Sequence, residues 1–476
     1  MVEPRIIPRA EHPISRRNID PDALKVLYRL RQFNHVAYLA GGSVRDLLLG
    51  RRPKDFDIGT SAHPYQVKKL FRNCWIIGRR FRLAHVKFGA NVIEVATFRR
   101  QVAAGEEVVQ DGVPAPVHHP SAARGVPAEQ DRGERLRLAP SENSRGAASG
   151  GGAPRAVNDE RPGVNSGHLI HHDNTFGTPE EDAFRRDFTI NALFYDIATF
   201  SVIDYVGGLD DLRTGVVRSI GDPEVRVRED PVRMLRAVAL AARLDFTIDS
   251  PVVDAIRLHR REIARSSAPR LLEEYYKILR AGSSEKTFRG LADVGLLEPI
   301  SAELYRGATG PMWESLAELD GYRRRFGSTP DTLTNPILLG SLLVPLGISL
   351  QPDRHSVTTG EERTERRRAP GPRLGELPLA RRDTERLRQI VGLQRRMRDL
   401  AASPRVKRAL AHRSIFREAL TWPEIHGGAP NLVDHWRAVL AESAASEPTA
   451  GAPEGEPPPF PRRRRRRRRR FRPAPQ

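Results

Sequence analysis

The chain has 476 residues, of which 78 are Lys or Arg and 59 are Asp or Glu, so its net charge is +19. Its single cysteine, Cys74, excludes an intramolecular disulfide framework and a cysteine-based zinc cluster. No run approaches the roughly 20 apolar residues that span a bilayer, and the first residues contain no apolar segment, so we expect a soluble, cytoplasmic protein without a membrane partner. The positive charge predicts a polyanionic partner.

Three segments have a composition that does not support a core. Residues 101–174 are rich in Gly, Ala, Pro, Arg and Glu, and we expect a disordered, low-complexity insertion. Residues 351–378 have the composition of a linker, and residues 441–476 that of a disordered basic arm. About half of the net charge comes from ten arginines in this arm: Arg462, Arg463, Arg464, Arg465, Arg466, Arg467, Arg468, Arg469, Arg470 and Arg472.

The first ordered region predicts alternating strands and helices. An apolar strand at Val36–Ala40 ends in a Gly-Gly turn, and residues 43–50 predict a short helix or a tight loop. Pro64 precedes apolar residues at helical spacing, which indicates an amphipathic helix with proline in its first turn. Short β-prone runs follow at Trp75–Ile77, Leu83–Phe88 and Val92–Phe98.

From residue 175 onward the apolar spacing becomes helical and remains so, as in VRMLRAVALAARL and PRLLEEYYKILRAG. We therefore predict an α/β head, with a small mixed sheet and helices, followed by an all-α neck, body and tail. The expected divisions are a flexible N-terminus at 1–20, the head at 21–100 and 175–225, the neck at 226–300, and the body and tail at 301–350 and 379–440.

Two carboxylates, Asp55 and Asp57, follow the Gly41-Gly42 pair after twelve residues. Residues i and i+2 of a strand share one face, so these carboxylates project together and repel unless a cation bridges them. Mg²⁺ prefers oxygen ligands with substrate phosphates, and Glu94, in an apolar run, is suited to be a third ligand. An isolated D-x-D is usually a solvated turn, but a preceding glycine pair lets backbone N–H groups approach a triphosphate.

The segment GGSVRDLLLGRRPKDFDI resembles the head motif of the nucleotidyltransferase superfamily, in the branch of class II tRNA nucleotidyltransferases and bacterial poly(A) polymerases. EEDAFRRDFTINALFYD, DYVGG and REDPVRMLRA resemble its later motifs in the same order. The resemblance implies a nucleotidyltransferase head with Mg²⁺ as cofactor. It also implies a neck that selects the nucleotide and binds RNA, and transfer from a nucleoside triphosphate to an RNA 3′ end.

The resemblance places the run Arg185, Arg186 and Asp187 in the active site. Two guanidiniums can bind phosphate oxygens bidentately, which a lysine cannot do as a fork. Asp187 would orient an arginine, contact the ribose, or serve as the third carboxylate in place of Glu94. Without the other motifs, a salt-bridge cluster at the surface would be the favoured interpretation of this run.

A second group of residues is predicted to bind the nucleotide. Asp230 and Arg233 are neighbours on a helix face, and the resemblance implies that they read the edge of the incoming base. Alone, they would fit an acidic first turn with an i,i+3 ion pair. Gly41, Gly42 and Arg45 are predicted to lie against the triphosphate.

The motifs predict the reaction more firmly than its product, because CCA-adding enzymes and poly(A) polymerases share all of them. The stretch IIGRRFRLAHVKFG and the arginine arm favour the polymerase, since a basic arm binds RNA phosphates without sequence preference. We predict template-independent addition of AMP from ATP to RNA 3′ ends, with a role in mRNA processing. The alternatives are CCA addition to tRNA and an inactive RNA-binding module, against which the intact Asp55 and Asp57 argue.

Overall fold

The fold is described from a computed structural model covering residues 3–78, 82–100, 175–350, 374–427 and 430–445. These residues form two compact units. The first contains the residues up to Trp313 together with residues 374–378, and the second contains the remaining residues from Glu314 onward. The predicted disordered insertion lies outside the described residues, as do most of the predicted linker and of the arginine arm.

Ten strands lie in the first unit, and eight of them form one sheet in the order β1-β8-β7-β2-β3-β6-β5-β4. The two others, β9 and β10, pair with each other in parallel. The strands are β1 Arg5–Ile7, β2 Ala37–Ala40, β3 Asp57–Thr60, β4 Cys74–Ile77, β5 Leu83–Phe88, β6 Asn91–Thr97, β7 Phe194–Asp196, β8 Ser201–Asp204, β9 Val216–Val217 and β10 Thr247–Ile248.

The described α-helices lie between these strands in the sequence and continue after β10 to residue 445. They are α1 Pro21–Gln32, α2 Gly42–Leu48, α3 Pro64–Leu70, α4 Pro179–Arg185, α5 Gly208–Thr214, α6 Pro223–Glu229, α7 Val232–Leu244, α8 Ser250–His259, α9 Ala268–Arg280, α10 Ser284–Asp293, α11 Leu297–Ile300, α12 Ala302–Gly307, α13 Gly310–Arg324, α14 Asn335–Leu343, α15 Arg381–Met397, α16 Pro404–Ala411, α17 Phe416–His426 and α18 Pro430–Ala445. Among the described helices, none is both long and apolar enough to cross a bilayer.

The predicted fold class is confirmed. The main sheet is mixed, because β3 pairs in parallel with β6 while β2 and β3 pair antiparallel. In the second unit, all residues of α14 from Pro336 to Leu343 are buried, as expected of a helix that is apolar all round. The division between the units falls at Trp313, thirteen residues beyond the predicted end of the neck at residue 300.

The expectation that helical spacing continues without interruption from residue 175 onward is wrong within the head. Strands β7 and β8 lie within the main sheet, where β7 pairs with β2 and β8 pairs with β1. Phe194, Tyr195 and Val202 are fully buried, so these short strands have apolar residues on both faces and lack the alternation that identifies a half-exposed strand. The sheet is accordingly larger than predicted.

The N-terminal residues are also part of the fold, which corrects the prediction of a flexible segment at 1–20. Strand β1 pairs antiparallel with β8, with Ile6 opposite Ile203. A ring nitrogen of His12 lies 2.9 Å from the backbone oxygen of Phe200, and Ile14 is fully buried. The composition of this segment is polar, but its backbone pairs with strand β8 and two of its apolar side chains, Ile14 and Ile19, are buried.

The described residues just before position 101 and just after position 174 pair with each other. The backbone N–H of Arg100 donates to Thr175 O at 3.0 Å, and that of Gly177 donates to Phe98 O at 2.9 Å. Arg99 and Phe176 form an antiparallel bridge between these bonds. The described residues on either side of the gap are therefore joined directly by backbone hydrogen bonds.

We expect Ile14→Ala to destabilise the protein by about 2–5 kcal/mol, because it leaves a cavity in a fully buried site. The matched control is Ile6→Ala in β1, whose side chain is 58% exposed and should cost far less. Thermal or denaturant unfolding of both variants measures the difference. Equal, small effects would mean that the N-terminal segment does not contribute to the core.

Candidate active site

Two acidic residues lie side by side on neighbouring strands. Asp57 is the first residue of β3, and Glu94 lies within β6. Because Ile58 is opposite Val95 in this parallel pair, the preceding residues of the two strands are also neighbours across the ladder. The two predicted ligands Asp57 and Glu94 are thus brought together by strand register.

Asp55 occupies a different position from the predicted one. It lies in the loop before β3 and not on the strand, so the i,i+2 argument does not apply to it. Its side chain is 73% exposed, and Lys54 Nζ lies 3.7 Å from its carboxylate. Asp55 nevertheless remains close enough to act electrostatically on both Asp57 and Glu94.

The electrostatic setting of these acids favours a bound cation. Burial raises the pKa of Asp57 to about 6, and the negative charges of Glu94 and Asp55 act in the same direction, while Arg186 opposes them. The Asp57 side chain still contacts solvent, because it lies in an open cavity. Burial and Asp55 likewise raise the pKa of Glu94 above its usual value.

These donors are of the type that Mg²⁺ prefers, namely carboxylate oxygens that repel one another without a counter-charge. In their present positions, no three His, Cys, Asp or Glu side chains of the described residues converge closely enough to hold a metal ion. The exposed side chain of Asp55 is the one that would have to turn inward. The carboxylates of Asp55, Asp57 and Glu94 fit Mg²⁺ in their chemistry, because all three supply oxygen ligands.

A cavity of about 260 Å³ joins one acid to the predicted phosphate-binding arginines. Its wall is formed by the end of β2, by β3 and β6, and by α4 with the residue after it. The charged side chains that line it are Asp57, Arg99, Asp182, Arg185 and Arg186. Three guanidiniums and two carboxylates around one space are suited to a phosphate group with an associated cation.

Asp182 holds Arg185 and Arg186, two of the three arginines that line the cavity. Sequence analysis did not single out Asp182. Its Oδ2 accepts hydrogen bonds from Arg186 Nε at 3.1 Å and Nη2 at 2.9 Å, and its Oδ1 lies 3.5 Å from Arg185 Nη1. The carboxylate is buried. The signal was available, because an acid three and four residues before two arginines on a helix lies on their face.

Gly41 is required by its surroundings. Its φ is +70°, which a residue with a side chain rarely adopts, and a Cβ there would lie 2.7 Å from Arg186 Nη1. The same guanidinium nitrogen donates to Asn191 O at 3.0 Å. The Gly-Gly turn and the arginine pair are therefore in direct contact.

Arg45 does not line the cavity as predicted. Its side chain is buried beneath the turn, where Nε and Nη2 donate to Asp46 Oδ1 at 2.8 and 2.6 Å and Nη1 donates to the Asn191 side chain. A buried guanidinium needs this set of acceptors, so it turns inward. The structure gives Arg45 the role of supporting the Gly41-Gly42 turn.

Asp187 is oriented toward an arginine. Burial acts to raise its pKa, but the charge of Arg236 and hydrogen bonds from Asn191 and Phe188 hold the pKa below its usual value. An oxygen of its carboxylate lies 2.7 Å from Arg236 Nη2. Of the roles predicted for Asp187, orienting an arginine matches this geometry, and the neighbour of Asp57 is Glu94.

The motif predicted to read the base spans two helices. Asp230 is the C-cap of α6, and its Oδ2 lies 2.6 Å from Arg270 Nη2. Arg233 lies in α7, and its Nη1 is 3.0 Å from Glu229 Oε2. Asp230 and Arg233 thus have separate charged partners. Sequence analysis missed Arg270 because α9 is forty residues further along the chain.

Three family models match the chain in order. The poly(A) polymerase head domain matches residues 37–218, the "Probable RNA and SrmB- binding site of polymerase A" matches 245–305, and the "Polymerase A arginine-rich C-terminus" matches 372–470. The chain belongs to the poly(A) polymerase family. The last match includes the arginine arm, which lies outside the described residues.

Within this family, similarity is higher to poly(A) polymerases than to a CCA-adding relative. Poly(A) polymerase I of Salmonella typhimurium is 45% identical over 301 residues, which are 63% of this chain and 54% of that protein. A CCA-adding enzyme of Lactobacillus helveticus is 31% identical over 278 residues, 58% of this chain and 54% of that protein. The chain spans about half the length of the curated relatives it matches.

A solved structure of the Bacillus stearothermophilus CCA-adding enzyme in complex with CTP is 20% identical, with a TM-score of 0.49. It covers 90% of this chain, and the match covers 83% of that one.

We expect Asp57→Asn to raise the melting temperature at pH 8 in the presence of EDTA. A carboxyl whose pKa is raised on folding costs stability once it ionises, so the cost is absent below the unfolded pKa near 4 and grows as the pH rises through about 6. After a discount for solvent screening, the gain should be about 1 kcal/mol.

At pH 4 the Asp57→Asn variant and the wild type should melt nearly alike, because the Asp57 carboxyl of the folded wild type is then protonated and neutral, as the amide of asparagine is. Asp254→Asn, at an exposed position of α8 in the same unit, is the control for a general change in charge. A lower melting temperature of Asp57→Asn at pH 8, or a gain equal to that of the control, would contradict the repulsion described for this site.

Proposed function

We propose that the protein is a polynucleotide adenylyltransferase, which adds AMP from ATP to RNA 3′ ends without a template. The observation that carries the proposal is the cavity in which Asp57 faces Arg185 and Arg186, within a chain 45% identical to a poly(A) polymerase I. An acidic group for the metal and a basic group for the phosphates are what nucleotidyl transfer needs. We further propose mRNA among its substrates and the cytoplasm as its location.

Asp55, Asp57 and Glu94 would hold Mg²⁺, as their chemistry fits this ion. When bound, the ion would supply charge neutralisation at the triphosphate and a more acidic RNA 3′-hydroxyl. Asp187 and Arg236 would form a neutral pair behind the site.

In the proposed reaction, the 3′-oxygen of RNA loses its proton and forms a bond to the α-phosphorus of ATP. The bond from that phosphorus to the bridging oxygen breaks, and pyrophosphate leaves. Arg185 and Arg186, held in direction by Asp182, would neutralise the phosphate oxygens during this displacement. Gly41 and Gly42 would let the triphosphate approach the backbone, and Asp230 with Arg233 would select adenine.

CCA addition is the less favoured alternative, because three CCA-adding relatives are 30–31% identical to this chain in comparison with 38–45% for five poly(A) polymerases. An inactive RNA-binding module is disfavoured because both Asp55 and Asp57 are retained.

The test is incubation with Mg²⁺, labelled ATP or CTP, and either unstructured RNA or tRNA lacking its 3′ end. We expect long A-tracts on unstructured RNA and little use of CTP. Asp55→Ala should abolish addition while RNA binding remains, because it removes a ligand and not an RNA contact. Addition that stops at CCA on tRNA would favour the alternative, and no addition by the wild type would favour the inactive module.

The arginine arm is proposed to bind RNA phosphates through charge alone. Replacing the nine arginines of residues 462–470 by glutamine should weaken RNA binding and flatten its salt dependence, by about 0.7 in the log–log slope for each lost phosphate contact. Replacement by lysine is the matched control, since it keeps the charge and should keep the slope. If the glutamine variant keeps the wild-type slope, the arm does not bind RNA.

A further inference from the structure

Arg226 is a buried arginine that binds the backbone of Arg185 and Arg186. It lies in α6 and is 5% exposed. Its Nη2 donates to the carbonyl oxygen of Arg185 at 2.8 Å and to that of Arg186 at 2.6 Å. Arg226 thus contacts the main chain of the two residues whose side chains line the cavity.

These carbonyls have a physical need for such a partner. Arg185 is the last residue of α4 and Arg186 is its C-cap. Their backbone carbonyl oxygens therefore receive no hydrogen bond from an N–H group of the same helix. A cation at a helix C-terminus is also favoured by the helix dipole. The planar guanidinium can serve two fixed acceptors from one nitrogen while its other nitrogen bonds elsewhere, which an ammonium group does with less directional control.

The other end of the Arg226 guanidinium points toward the base-reading motif. Its Nη1 donates to Glu229 Oε2 at 2.8 Å, and the same oxygen accepts from Arg233 Nη1 at 3.0 Å. That nitrogen of Arg233 also donates to the backbone oxygen of Arg226 at 2.9 Å. Arg233 is therefore fixed by Arg226 both through Glu229 and through the Arg226 main chain.

We propose that Arg226 is a positioning residue that links the triphosphate-binding arginines to the base-reading Arg233. The proposal rests on the proposed function, since it assigns those two roles to Arg185 with Arg186 and to Arg233. Arg226 is not among the residues that line the cavity. It acts only by fixing the positions of Arg185, Arg186 and Arg233. Loss of the Arg226 guanidinium would then be felt at both ends.

The guanidiniums of Arg185 and Arg186 are held by a residue other than Arg226, which makes the proposal testable. Asp182 fixes their guanidiniums, whereas Arg226 fixes their carbonyls. Arg226→Lys keeps the positive charge but removes the two terminal guanidinium nitrogens that bond to separate partners. Helix α4 can then remain folded while the position of its C-terminal end relative to α6 becomes less fixed. Arg213→Lys is the matched control, because Arg213 has a 78% exposed side chain and an exposed partner, Asp210, in the same unit.

Two readouts report the two ends separately. Binding of inorganic tripolyphosphate, measured by calorimetry, reports the phosphate end without needing any reaction. The ratio of kcat/KM for ATP to that for CTP reports the base end. For Arg226→Lys we expect tripolyphosphate binding to weaken about tenfold and the ATP preference to fall about tenfold, since misplacement of a positioned group costs on this scale.

A second variant separates the link from the carbonyl contacts. Glu229→Gln breaks the charged connection to Arg233 and leaves the bonds from Arg226 to the two carbonyls. We expect it to lower the ATP preference while tripolyphosphate binding stays within about twofold of wild type. Arg213→Lys should change neither readout.

The proposal is overturned if Arg226→Lys changes only one readout, or neither. It is also overturned if the variant melts far below the wild type and loses both readouts together, because Arg226 would then only maintain the fold. If the wild type adds no nucleotide to RNA, the proposed function fails. Tripolyphosphate binding would still decide whether Arg226 sets the phosphate end.

Discussion

Repulsion between like charges on adjacent strands is the constraint around which the head is organised. The pairing of β3 with β6 places Asp57 beside Glu94. Burial of Asp57 raises its pKa, and the nearby negative charges of Glu94 and Asp55 raise it further. Arg186 is the positive charge of the head that opposes this rise, and it is held in place by Asp182.

A chain of charged side chains, connected at one point through a backbone carbonyl, extends from Asp182 to Arg233. Asp182 holds Arg186, the carbonyl of Arg186 accepts from Arg226, and Arg226 shares Glu229 with Arg233. A buried charge without its partner is costly, so each member depends on the next. Such a chain of pairs gives rigidity at a place where the proposed reaction needs reacting groups at fixed distances.

Local patterns predicted the parts of the fold that local physics determines. The strand Leu83–Phe88 was predicted with its exact bounds, since its apolar run ends at Gly and Arg turns. The strands β7 and β8 were not predicted, because their burial on both faces comes from partners elsewhere in the chain. Fold class could be predicted from sequence, whereas the position of these strands within the sheet could not.

The same distinction applies to the site. The types of the residues indicated the chemistry, and strand register brought Asp57 and Glu94 together as predicted. Spacing could not foresee that Arg45 turns inward to Asp46 and Asn191, because Asn191 is far away in sequence. Nor could it foresee Arg270, whose helix reaches Asp230 only through the tertiary fold.

The hydrogen bond from Arg100 to Thr175 has a consequence for how this head tolerates change. The described segments on its two sides are joined by backbone hydrogen bonds, and the entropic cost of bringing two chain ends together grows only slowly with the number of residues between them. The pairing of these segments therefore does not require a particular number of residues between Arg100 and Thr175. Such a junction is a natural entry point for added sequence, and it lies one residue from Arg99, whose side chain lines the cavity.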